Sequence, residues 1–262
     1  MTFDKFIKIL GFSKVNCKKI KEIFNNNIYN FYKIYSDLTK ENADFEEIKN
    51  SLNDEDGFIM LTTYLYKAFS LSKTYKSLNI DQDIYFDTFK CFNRFLLETK
   101  KATKKYIFDR YWWTYRQTEM LEFRIGELEY EISHNTKEIY IHVPSDTKLI
   151  QKDIIKSIQD AKEFFLKKFN IDYKFCLNSW LLSPKLNNIL KKDSHIKEFM
   201  NLFDIKAVNN DSDDCIFWVF NTYSEDINSY KENTSLQKYI KNILLNGGHL
   251  GSAYGILKGD FI

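Results

Sequence analysis

Residues 123–143 read FRIGELEYEISHNTKEIYIHV, and their period decides the fold. Over 123–132 the residues alternate: Arg124, Gly126, Leu128 and Tyr130 point one way, and Ile125, Glu127, Glu129 and Glu131 the other. A period of two predicts one strand with a carboxylate-bearing face. Ser133-His134-Asn135-Thr136 is a turn sequence. The segment 138–143 predicts the returning strand, with Tyr140 and His142 on one face and Ile139, Ile141 and Val143 on the other.

Outward from this hairpin the period changes. In 153–169, Ile154, Ile155, Ile158, Ala161, Phe164, Phe165 and Phe169 recur at helical spacing. The stretch 172–181 predicts a strand, and Ser183-Pro184 opens a short helix with proline at its first position. A helix over 194–203 capped by Ser194, a strand over 215–220, a helix over 235–245 stopped by Gly247-Gly248 and a strand over 253–257 follow. Helices interleaved with strands predict an α/β domain with a mixed sheet.

Upstream, residues 1–104 read as helices only. Apolar stripes run through Phe3, Phe6, Ile7 and Leu10, through Ile20, Ile23 and Phe24, and through Ile28, Phe31, Ile34, Tyr35 and Leu38. Asp54-Glu55-Asp56-Gly57 places acidic groups where the helix over 58–71 begins. The polar, lysine-rich segment 98–105 marks the expected boundary, giving an all-helical domain over 1–104 and a mixed-sheet domain over 105–262.

The 38 Lys+Arg against 36 Asp+Glu leave a net charge of +2, which predicts no general attraction to nucleic acid or to an anionic membrane. No window approaches 18 apolar residues, so no membrane span is expected, and the N-terminus has no signal-peptide pattern. Cys17, Cys91, Cys176 and Cys215 form no CxxC pair and predict reduced thiols in a cytoplasm. The four histidines show no HExxH-type spacing, so no metal site is expected. Only four basic residues are arginine; Arg94, Arg110, Arg116 and Arg124 all fall in or just before the aromatic-rich segment 109–132. The guanidinium fork pairs with carboxylate or phosphate and stacks on rings. These arginines are therefore either an ion-pair and stacking hub or an anion site, with Arg116 the candidate for substrate.

The words RYWWTYRQ, FRIGELEYE, IHVPSDTKL, SWLLSPKL, DSHIKEFMNLF and TSLQKYI resemble a family of bacterial acyltransferase-domain proteins. In that family an N-terminal helical domain precedes a divergent GNAT-like C-terminal domain. The resemblance implies acyl transfer from acyl-CoA to a small-molecule amine by direct attack in a ternary complex. It also implies that the strand over 138–143 presents backbone groups to the pantetheine arm, with the following loop and helix start holding the pyrophosphate. Val143, Ser145, Thr147 and Lys148 become the cofactor-binding candidates, joined by Ser179 at the end of the strand over 172–181. Trp180 borders the acyl pocket. The chain departs from the usual pattern here: SDTKL has no glycine where GNAT loops carry several, and Leu177-Asn178 replaces a Cys-polar pair common among relatives.

His142 is the expected base for the attacking amine, with Glu129 as its carboxylate partner by register; otherwise it is a core histidine with both nitrogens satisfied. Cys176 with His142 offers a covalent alternative, although a small buried residue in a central strand reads the same way. The run 247–255 resembles a phosphate cradle but lacks the strand before it and the helix after it. Tyr254 is a candidate to protonate a leaving thiolate. The alternative to catalysis is a binding protein that keeps a GNAT-like cleft.

Overall fold

The computed structural model describes residues 1–27 and 29–259; Ile28, assigned above to an apolar stripe, lies outside the described residues. The chain forms two compact units, Met1–Phe123 and Arg124–Ile262.

The first unit is helical, as its 3.6-residue period predicts. Its central helix, Phe58–Ser70, is buried along most of its surface through Phe58, Met60, Leu61, Thr62, Thr63, Tyr64, Leu65 and Ala68. A helix that is apolar nearly all round must be enclosed by others, and Lys14–Asn27, Phe31–Leu38 and Tyr111–Thr118 pack against it. The acidic turn starts it: Asp54 Oδ1 accepts from the Ile59 amide and Oδ2 from the Met60 amide, each at 2.9 Å. Gly57 has φ +75°, and a Cβ there would stand 2.1 Å from the Phe108 carbonyl oxygen, so only glycine fits.

The second unit is built on a sheet of order β1-β2-β3-β4-β6-β5. Its strands are β1 Glu122–Ile125, β2 Leu128–Ser133, β3 Glu138–His142, β4 Lys174–Ser179, β5 Phe203–Asn209 and β6 Ser252–Leu257. β2 and β3 are antiparallel, β3 and β4 parallel, and β6 runs antiparallel to both β4 and β5. The mixed sheet agrees with the sequence reading. One face is apolar, with Leu128, Tyr130, Ile132, Ile139, Ile141, Phe175 and Leu177 buried. The helix Gln151–Phe169 buries Ile154, Ser157, Ile158, Ala161, Phe164 and Phe165, and its Phe165 ring meets those of Tyr130 and Phe175.

Three elements differ from the sequence expectation. The single strand over 123–132 is two strands, turned at Gly126-Glu127 with Gly126 at φ +62°. Alternation continues through so short a turn, so the period alone does not reveal it. A Cβ on Gly126 would lie 3.1 Å from Ser157 Cβ, which brings the helix onto the turn. The Ser157 hydroxyl donates to the Ile125 carbonyl, accepts the Leu128 amide at 3.3 Å and lies 2.8 Å from the Tyr130 hydroxyl. Second, Cys215–Phe220 is a helix, not a strand; periodicity cannot separate the two for a six-residue apolar run. Third, the helix near 194–203 is short, His195–Met200, its Ser194 side chain makes no cap bond, and β5 follows directly. Among the described residues no helix is long and apolar enough to cross a membrane.

Candidate active site

The site is a split in the sheet. The β3–β4 ladder pairs Glu138 with Lys174, Ile139 with Phe175 and Tyr140 with Cys176. Beyond that rung β3 continues to His142, still paired with β2, and β4 to Ser179, still paired with β6. Two parallel strands therefore part at their C-terminal ends, where α/β sheets place ligands.

His142 stands on the β3 lip. Glu129 faces it across the β2–β3 ladder and is only 4 % exposed. The hydrogen bond that positions the imidazole, however, runs to a diagonal neighbour: His142 Nε2 lies 2.9 Å from Glu131 Oε2. Both side chains are partly exposed, 26 % and 20 %. Directly facing residues and their diagonal neighbours share one sheet face, so alternation put all of these groups together without selecting the partner.

Further along the same face, Glu138 accepts the Tyr140 hydroxyl at 3.0 Å on one carboxylate oxygen and the Tyr254 hydroxyl on the other. The Tyr254 bond, with help from Tyr140, holds the Glu138 carboxyl below its ordinary range. Cys176 is wholly buried. Burial, reinforced by Glu138, pushes its thiol up to about 12. A thiol so enclosed supplies little thiolate near neutrality, which disfavours the covalent alternative.

The loop after β3 leads into the helix Gln151–Phe169. Thr147 Oγ1 donates to the Glu127 carbonyl at 2.6 Å, fastening the loop to the β1–β2 turn. Asp146, whose charge would oppose a phosphate, is held by Arg124 Nη1 at 2.9 and 3.1 Å. Leu149 takes φ +55° with its side chain buried, so the loop reaches a left-handed conformation without glycine. Ile150, at the helix N-cap, contributes no side-chain cap bond. Arg124, Glu127, Asp146, Lys148, Ile150 and Asp153 line a cavity of about 270 Å³ at this end. Ser145 and Lys148 are exposed and Val143 is half-buried.

On the β4 lip, the Ser179 hydroxyl accepts the Leu181 amide at 3.1 Å and caps a 3-10 turn that begins at Trp180. His142, Val143, Ser145, Thr147 and Lys148 thus follow one another along β3 and its loop, with Ser179 and Trp180 opposite. Arg116 belongs to the first unit. Its guanidinium lies 4.1 Å from the Trp113 ring centre and 4.9 Å from that of Tyr115. Arg110 pairs with Asp109 at 2.9 Å and Arg94 with Glu98 at 3.5 Å. Stacking and ion pairing engage these three arginines inside the first unit, whereas Arg124 secures the loop. The run 247–255 follows the end of the helix Ser235–Leu245 and contains the start of β6.

A mixed sheet with parallel central strands split above a strand–loop–helix crossover is the GNAT architecture. Family comparison makes the assignment specific: residues 12–120 match the N-acyltransferase N-terminal domain and residues 68–257 the GNAT-like C-terminal domain. The chain belongs to this GNAT-like N-acyltransferase family. No curated protein matches it. Among solved structures it is similar to an acyltransferase in complex with decanoyl-CoA and teicoplanin, with TM-score 0.83 at 15 % identity, covering 97 % of this chain and 86 % of that one. A complex with decanoyl-CoA matches at TM-score 0.80 and 16 % identity over the same shares. A complex with CoA and 10C-teicoplanin matches at TM-score 0.72 and 14 % identity, covering 98 % and 99 %.

Proposed function

We propose that the chain moves an acyl group from acyl-CoA to an amine of a small-molecule acceptor, by direct attack with both substrates bound. The observation that carries this reading is the split between β3 and β4, with His142 on one lip and a helix N-terminus just beyond. The residues present fit CoA. A helix start without a side-chain cap offers amide donors to a pyrophosphate, Lys148 adds charge, and Arg124 neutralises Asp146. The acyl-CoA complexes of the structural neighbours support the same donor class.

His142 is the base. With Nε2–H donated to Glu131, the lone pair of the neutral ring is on Nδ1, which takes the proton of the attacking amine. Glu131 orients the ring and stabilises the imidazolium that forms. Backbone groups near Val143 polarise the thioester carbonyl; as the C–N bond forms the C–S bond breaks, and the leaving CoA thiolate is protonated by a nearby hydroxyl or water. Val143, Ser145, Thr147, Lys148 and Ser179 bound the donor, and Trp180 borders the acyl group. Arg116, its guanidinium stacked on Trp113 and Tyr115, is the candidate for substrate recognition. Among the described residues the cysteines form no disulfide, which fits a reducing bacterial cytoplasm.

Thermal-shift measurements with CoA, acetyl-CoA and decanoyl-CoA, followed by turnover over an amine panel, test the proposal. Stabilisation by CoA species together with acyl transfer is expected. No stabilisation by any of them would overturn the donor assignment. Stabilisation without turnover would favour a binding protein that keeps the cleft.

A further inference from the structure

We propose that Tyr254, Glu138 and Tyr140 form a tie across three strands that sets where the β3–β4 split begins and so positions the acyl donor. The tie itself is independent of the reading above; its role toward the donor rests on that reading.

Both strands continue past their last shared rung, and their backbones could go on pairing. Where a parallel ladder stops while each strand keeps its other neighbour is set by the side chains around the last rung. At that rung stand Tyr140 and Cys176. Glu138, two residues back on the same face, binds the Tyr140 and Tyr254 hydroxyls through different oxygens. The Tyr254 backbone is level with Asn178, on the open side of the rung. Its phenol therefore slants back past Cys176 to reach β3, linking β6 to β3 over β4. The path needs a small residue at 176, and the wholly buried Cys176 supplies it, its thiol turned to the Ile139 carbonyl at 3.7 Å.

The β3 lip is thus held through Glu138, and the β4 lip through its ladder to β6, whose own Tyr254 completes the loop. The bonds are of the strong kind. Burial, with Glu138 second, raises the Tyr254 hydroxyl, and the same two causes raise that of Tyr140, so both remain donors to an ionised carboxylate. A thioester held between the lips depends on their spacing, and misplacement by about 1 Å can cost roughly a hundredfold in rate.

Tyr254→Phe keeps the ring and removes the bond. Cys176→Val keeps every hydroxyl but intrudes beneath the phenol. Hydrogen exchange on the ligand-free full chain should quicken at 141–143 and 177–179 in both variants, with 128–132 unchanged. The Kd for decanoyl-CoA should rise about tenfold. Unchanged exchange at the lips would overturn the tie. Quickened exchange with an unchanged Kd would overturn its role in positioning. If Tyr254→Phe fails to fold, Cys176→Val carries the same comparison. A wild-type chain that ignores decanoyl-CoA would remove the donor reading, and the exchange data would still decide the tie.

Discussion

His142 Nε2 is 2.9 Å from Glu131 Oε2, although the residue facing His142 across the ladder is Glu129. The diagonal carboxylate reaches the imidazole while the facing one is buried at 4 % exposure. His142→Ala should lower kcat by about 10² to 10⁴, the usual contribution of a positioned base, with CoA-induced stabilisation retained. Glu131→Gln should give a smaller fall, because the amide can still accept the ring N–H but cannot neutralise an imidazolium. Steady-state kinetics beside a thermal-shift titration check both. Full activity in His142→Ala would move the base elsewhere.

Arg124 and Asp146 make the next case. Their pairing, at 13 % and 55 % side-chain exposure, contributes little to stability, about 0–1 kcal/mol. Its effect should appear in ligand affinity. Arg124→Ala leaves the Asp146 charge uncompensated beside the helix start and should weaken CoA binding several-fold. Asp146→Asn should not weaken it, and the double variant should recover most of the loss. Calorimetric titration at two salt concentrations reads this directly, since screening should shrink the difference.

Ser157 is a stability residue. Its hydroxyl is shared among the Ile125 carbonyl, the Leu128 amide and the Tyr130 hydroxyl, all in the core. Ser157→Ala orphans these groups and should cost about 1–3 kcal/mol, seen as a lower urea midpoint. CoA affinity of the folded protein should be unchanged. A neutral result would mean that the β1–β2 turn does not depend on the helix that covers it.

Thiol reactivity provides a check without mutation. Cys91, Cys176 and Cys215 are buried, and Cys17 is the partly exposed one. Burial pushes the Cys215 thiol, like that of Cys176, up to about 12. A native titration near neutral pH should label Cys17 alone, and urea should release all four. The sign follows from linkage: a thiol with a raised folded pKa favours the native state below its unfolded pKa, and that contribution is lost as pH rises through the folded value. Stability should therefore decline above about pH 8.5. Rapid native labelling of Cys176 would reopen the covalent mechanism.

Much of the fold was legible because it is written in local periods. The helices of the first unit, the helix Gln151–Phe169, the helix Ser235–Leu245 and the pairing of 138–142 with the strand before it follow from residues within a few positions of one another. The exceptions have local causes too. β5, FDIKAVN at 203–209, alternates as far as Ala207, but it follows the helix His195–Met200 so closely that a helical reading runs on into Phe203. CIFWVF at 215–220 is apolar throughout and fits either period.

The candidate site divides in the same way. The sequence by itself determined that His142, Tyr140 and Glu138 share a face with Glu129 and Glu131, because strand side chains alternate strictly. It also determined that a loop and a helix start follow His142, because apolar spacing changes there from two to 3.6. Only the tertiary structure decided which glutamate meets His142, that Arg124 crosses 22 residues to hold Asp146, and that Tyr254 reaches Glu138 across 116. Those contacts depend on the order of strands and on where a ladder stops. Both are settled by packing between segments distant in the chain, and no local period encodes them.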